Sequence, residues 1–149
     1  MMISDIITSP YLQALLAAWI SAHLIKFGIT IAAGGRVNLL SQLFISGGMP
    51  SSHAATSVAV LIVILLKDGA SSGLFGLATL VTLIICYDAV KVRRSAGEQG
   101  QALRELIEAT KQTKNIVLPR AAKGHTPIEV IAGAVLGVAI AIVVFFATK

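Results

Sequence analysis

The chain is 149 residues long, about one domain's worth. Apolar residues make up 56% of it and charged residues 13%, and the mean hydropathy is +0.85. Soluble domains hold about 45–50% apolar and about 25% charged residues, so a soluble fold could not cover its surface, and the wealth of Leu, Ile, Val and Phe excludes disorder. The composition is that of a small integral membrane protein. With 12 Lys+Arg against 7 Asp+Glu, a formal net charge of +5, the question becomes where the cations sit. The single cysteine, Cys86, lies in an apolar run and allows neither a disulfide framework nor a multi-Cys metal site within one chain. The opening residues, with Asp5 and no basic stretch, do not read as a secretory signal.

Four apolar stretches follow one another, at residues 11–33, 54–66, 74–90 and 128–148. A spanning helix needs about 20 residues to cross about 30 Å of hydrocarbon. The first and fourth meet that, and the third does so if its polar end, Tyr87-Asp88, is included. The second covers only about 20 Å at 1.5 Å per residue. The rest of its path falls to Gly47-Gly48-Met49-Pro50-Ser51-Ser52-His53. Polar, non-helical backbone is tolerated at membrane depth only where protein or a wet cavity surrounds it, so a Ser-Ser-His cluster is expected in a cavity at one end of a bundle. The expected fold is an all-α integral membrane bundle of about four transmembrane helices, near 11–33, 49–66, 72–90 and 127–148, forming a single domain over 1–149.

Between the third and fourth helices lies the strongly charged part of the chain, residues 91–125. It holds Lys91, Arg93, Arg94, Arg104, Lys111, Lys114, Arg120 and Lys123 against Glu98, Glu105 and Glu108. Its middle, near 96–110, reads as an amphipathic helix with Leu103, Leu106 and Ile107 on one face, suited to a membrane surface or to covering the bundle. The positive-inside rule makes this insert cytoplasmic, with both termini on the opposite side.

Ionisable groups at membrane depth are functional candidates, because each costs at least a few kcal/mol there. Lys26 is the first, with a snorkelling side chain as the plainer alternative. His23, three residues earlier, reads better as a packed or interfacial residue. Pro50-Ser51-Ser52-His53 opens a helix, where Pro and Ser serve as ordinary capping residues. The same free N–H groups, hydroxyls and helix dipole also bind an oxyanion, with His53 beside it. Thr126-Pro127-Ile128-Glu129 is a capping box. Glu129 also stands four residues from His125, a spacing at which a carboxylate fixes an imidazole tautomer and leaves the other nitrogen to attack. Arg93 and Arg94 end the third helix, either as a stop-transfer cluster or as phosphate ligands, and Asp88 lies one turn before them, placed to orient an Arg or pair with Lys91. Gathered on one face, Lys26, Arg36, Ser51, Ser52, His53, Arg93, Arg94, His125 and Glu129 suit phosphomonoester hydrolysis or phosphotransfer. No nucleic-acid module, Walker loop, nucleotide fingerprint or zinc pattern appears in the sequence.

These residues resemble the divergent branch of the PAP2 (type 2 phosphatidic acid phosphatase) superfamily, related to vanadium haloperoxidases. The resemblance is carried by residues 47–53, by Tyr87-Asp88-Ala89-Val90-Lys91-Val92-Arg93-Arg94, and by residues 124–133, beginning Gly124-His125-Thr126-Pro127. The superfamily motifs are K-x6-R-P, P-S-G-H and S-R-x5-H-x3-D. Pro50-Ser51-Ser52-His53 matches the second, and His125-x3-Glu129 matches the end of the third, with Glu for Asp. The third motif's Arg falls at Arg93 or Arg94, with Arg120 as a rival, and Lys26 and Arg36 stand ten apart where the first motif has seven.

The resemblance implies that His125, oriented by Glu129, attacks phosphorus. His53 protonates the leaving alkoxide, and Lys26, Ser52 and an Arg stabilise the equatorial oxygens. It implies no metal and no cofactor. The expected substrate is a membrane lipid phosphate; a cytoplasm-facing site argues for a phospholipid-synthesis intermediate, first phosphatidylglycerophosphate, then phosphatidate or a prenyl phosphate or diphosphate. The chain is expected to work in a bacterial-type plasma membrane as a multi-pass protein, with a homodimer as one way to seal so small a bundle. Two other classes remain open: a degenerate member that binds lipid headgroups without turnover, and a small transporter or channel subunit with Lys26 and His23 along its path.

Overall fold

The computed structural model describes residues 8–35, 47–110 and 124–149. Every regular element among them is helical, and no strand occurs there. Helix α1 is Pro10–Ala32, α2 is Ser52–Asp68, α3 is Gly73–Ala109 and α4 is Pro127–Ala147. The ends follow from local chemistry. Pro10 and Pro127 begin α1 and α4, where a missing N–H removes no helical bond. Ser72 Oγ accepts the Phe75 N–H at 3.1 Å to start α3. Gly69 closes α2 with φ of 83°, a conformation that favours glycine.

Helices α1, α3 and α4 are long and apolar enough to cross a membrane. The 17-residue α2 rises only about 26 Å, yet it is the central helix and packs against each of the other three. The chain enters its N-terminal end through Pro50, where the Met49–Pro50 peptide is cis.

The packing inverts the soluble pattern. Buried positions are small: Ala14, Ala18 and Ala22 on α1, Ala55 and Ala59 on α2, and Ala141 on α4. Large apolar side chains such as Leu74, Leu77, Leu80, Leu83 and Ile84 of α3 are exposed. In lipid, burial of apolar surface gives no net drive between helices, so close backbone approach and dispersion take over. A Cβ on Gly133 would lie 2.3 Å from Ser51 O, and one on Gly137 would lie 2.5 Å from Ala55 O. The backbones of α2 and α4 therefore touch at Gly133 and Gly137, with Ala141 buried one turn further on.

One feature differs from the sequence expectation. The third helix does not end near residue 90 to begin a separate insert. It runs on through a π turn at Asp88–Val92 into Arg93–Ala109, 37 residues in all, or about 55 Å. The change at residue 91 is one of polarity, and neither Pro nor a capping residue interrupts the backbone there. Leu103 and Leu106 of this extension are exposed. The later part of the expected insert, 111–123, lies outside the described residues.

Candidate active site

The N-terminus of α2, the π turn of α3 and the start of α4 meet at one end of the bundle. His125, just before α4, is 1% exposed and is among the largest fully buried side chains of the described residues. Its N–H donates to Ala89 O at 3.0 Å, and its Nδ1 lies 3.1 Å from Glu129 Oε2. The same oxygen accepts the Thr126 N–H at 3.0 Å, while Thr126 Oγ1 accepts the Glu129 N–H at 3.3 Å. One carboxylate oxygen thus makes both the capping bond and the bond to the His125 ring. An ionised carboxylate only accepts, so the ring donates from Nδ1 and its lone pair sits on Nε2. Nε2 is buried and has no hydrogen-bond partner among the described residues.

Two contacts lock the histidine's backbone. Gly124, at φ of 63°, sits so close to α3 that a Cβ there would lie 2.6 Å from Arg94 N. In addition, Ser51 N–H donates to Glu129 O at 2.9 Å, which ties the start of α2 to α4.

His53, in the first turn of α2, stands with its ring centroid 6.0 Å from that of His125, nearly edge-on at 68°. Its Nε2 is 3.2 Å from Arg93 Nη1. A guanidinium has no acceptor, so Nε2 accepts and the proton of the neutral ring lies on Nδ1, which is buried and also without a partner among the described residues. Arg93 is held in turn by Asp88, with Nε donating to Oδ2 at 2.6 Å. Lys26 of α1 lies near enough to act Coulombically on His53, His125 and Glu129. Burial pushes the His125 pKa below the ordinary histidine value, and the cations Lys26 and Arg93 push the same way. The Glu129 bond opposes them without reversing the shift.

The other named residues fall as follows. Ser51 is fully buried, and its Oγ caps α2 by accepting the Ala54 N–H at 3.4 Å. Ser52 is buried at the first position of α2. Arg94 is placed outside the cluster: its side chain is exposed and its Nε bonds Glu98 at 3.1 Å along the helix. His23 turns to its own helix, with Nδ1 2.9 Å from Trp19 O and its ring against the Trp19 ring. Arg36 and Arg120 lie outside the described residues. Among the described residues no three His, Cys, Asp or Glu side chains gather as a metal site.

The sequence alone did not point to the π turn, to Ala89 O as a partner for His125, or to the close approach at Gly124. Only the four-residue spacing of Gly133 and Gly137 gave a readable signal of where backbones would touch.

An all-helical membrane bundle with one buried and one half-buried histidine, the first paired to a carboxylate and the second to an arginine, is the class of protein that these features define. The model of the Divergent PAP2 family matches residues 7–140, and the chain belongs to that family. It is similar to YuiD, an uncharacterized membrane protein of Bacillus subtilis (strain 168), at 32% identity over 155 residues, covering 95% of this chain and 98% of that one. No solved structure matches it.

Proposed function

We propose that this protein is a membrane lipid-phosphate phosphatase that works through a phosphohistidine on His125. The observation that carries the reading is His125 itself: a buried imidazole with Nδ1 held by Glu129 and Nε2 left unpartnered, 6.0 Å from a second histidine. That is the geometry of an oriented nucleophile beside an acid.

In the proposed first step the Nε2 lone pair attacks phosphorus and an N–P bond forms. The bond from phosphorus to the lipid oxygen breaks, and the leaving oxygen takes both electrons. Phosphate oxygens compete with His53 Nε2 for Arg93 Nη1, a contest that bidentate charge-assisted bonding favours. His53, released from Arg93, takes a proton from solvent at Nε2 to become the imidazolium and gives that proton to the leaving alkoxide, returning to the neutral ring. Water then attacks phosphorus, His53 takes the water's proton, and the N–P bond breaks to return the electron pair to Nε2. Lys26 and the N–H groups of Ser52 and His53, which precede the first intrahelical bond of α2, neutralise the equatorial oxygens.

Phosphatidylglycerophosphate is the first substrate we propose, because the cationic extension beside the site favours the cytoplasmic face, where intermediates of phospholipid synthesis carry terminal phosphomonoesters. The deciding experiment is phosphate release by the purified protein from phosphatidylglycerophosphate, phosphatidate and prenyl phosphates, beside His125→Ala and His53→Ala. The wild type is expected to prefer the first lipid. His125→Ala should abolish turnover, and His53→Ala should lower it by on the order of 10²–10⁴-fold. Variants as active as the wild type would end the catalytic reading, and lipid binding without turnover by any form would make the chain a headgroup-binding protein.

A further inference from the structure

Asp88 and Arg93 are five residues apart, which on an ordinary α-helix, at about 100° per residue, turns two side chains roughly 140° away from each other. Here they meet, because the helix between them is a π turn. A π turn bonds each N–H to the carbonyl five residues back. The Arg93 N–H accordingly goes to Asp88 O. Ala89 O, four residues before Arg93, takes the His125 N–H instead, at 3.0 Å. A single register shift thus reaches both histidines, His125 through the backbone and His53 through the Arg93 side chain.

The side-chain route has a specific form. Asp88 grips Arg93 at Nε, at the root of the guanidinium fork, and leaves the two terminal nitrogens to turn inward. Nη1 then faces His53 Nε2. The other charged or titratable groups acting on His53 are His125, Lys26 and Asp88 itself; among the described residues Nε2 is bonded by Arg93 and Nδ1 has no partner.

We propose that Asp88 is a positioning residue of this site: by holding Arg93 at Nε it fixes the His53 proton on Nδ1. The catalytic consequence of that placement rests on the phosphatase reading, whereas the placement itself does not.

The test is ¹⁵N NMR of the full-length protein in detergent micelles with ¹⁵N-labelled histidine, the His53 signals being identified by their loss in His53→Ala. Under conditions where the ring is neutral, the wild type should show Nδ1 protonated and Nε2 as an acceptor. Asp88→Asn should give a mixture of tautomers, and Asp88→Glu should restore much of the wild-type preference. Arg93→Lys, which keeps the charge but lacks Nε and the fork, should lose the preference as Asp88→Asn does, and it serves as the second variant if Asp88→Asn does not fold. In phosphate release, Asp88→Asn should lower kcat about tenfold to a hundredfold with KM little changed, the usual range when the partner of a functional side chain is removed. A wild-type tautomer in Asp88→Asn or in Arg93→Lys overturns the proposal. If the wild type turns over no lipid phosphate, the phosphatase reading fails alone, because the tautomer measurement needs no substrate.

Discussion

At Glu129 one oxygen accepts from both the Thr126 N–H and His125 Nδ1, so the residue starts the helix and, under the proposed function, orients the nucleophile. Glu129→Gln separates the two. The amide keeps an oxygen to cap Thr126, but its neutral dipole no longer favours the Nδ1–H tautomer, and its NH₂ can turn toward the ring. Folding stability should fall by at most about 1 kcal/mol, within the range of a weakened cap, while kcat/KM should fall on the order of 10²–10⁴-fold. Thermal unfolding in micelles beside initial rates checks both. The pH dependence follows from the same side chain. Attack needs Nε2 unprotonated, and burial with the nearby cations lowers the His125 pKa. The acid limb of kcat/KM, which reports the free protein, should therefore lie below the ordinary histidine value of about 6.5. Activity should persist as pH falls through that value and be lost only at lower pH. Glu129→Gln removes the one interaction that raises this pKa and should move the limb lower still. A limb above about 6.5 in the wild type would mean that another group titrates.

Among the helices, contact between α2 and α4 sets the register of the site, because Ser51 and Glu129 are bonded directly above the Gly133 crossing. Gly133→Ala would drive a Cβ to 2.3 Å from Ser51 O, a backbone atom that cannot swing aside. It should lower stability by about 1–3 kcal/mol, as overpacking does, and reduce phosphate release by displacing His53. Gly76→Ala on α3 is the control, since nothing lies within 4 Å of the added Cβ. There the lower backbone entropy of Ala in the unfolded chain should stabilise by about 0.5–1 kcal/mol, and unfolding midpoints of the two variants in micelles should move in opposite directions. Much of this element scale was legible. Hydropathy located α1, α2 and α4 to within a few residues, and the caps at Ser51, Ser72 and Thr126 use ordinary local chemistry. The third helix was misjudged at its far end, because its polar extension changes what the helix faces without changing its backbone preference. The π turn was illegible altogether, since Asp88–Val92 contains no residue that demands it and the bonds that settle it come from Gly124 and His125 across the bundle.

For the whole molecule, polar contacts mark its two ends. Tyr11 OH donates to Asp68 Oδ2 at 2.8 Å, and Lys67 Nζ donates to Thr148 O at 3.0 Å, which puts the start of α1 and the ends of α2 and α4 at one end. His53, Asp88, Arg93 and His125 occupy the other. His53, Arg93 and His125, far apart in sequence, are thus brought to one end, and what the sequence could not separate was Arg93 from Arg94. Those neighbours point to different sides of one helix, and only the π turn decides which reaches His53. With the strongest run of cations leading out of the site end, the proposed cytoplasmic placement of that end follows the positive-inside rule and predicts both termini across the membrane. A reporter active only outside the cytoplasm should therefore work when fused after Lys149 and fail when inserted after Thr110. Replacing Lys91, Arg94 and Arg104 with Gln should weaken that bias and let part of the population insert the other way, while leaving Arg93 in the site intact. A C-terminal reporter active only in the cytoplasm would reverse the orientation. The terminal phosphomonoester would then have to be presented at the outer face, which moves the substrate from a phospholipid-synthesis intermediate to a lipid carrier phosphate.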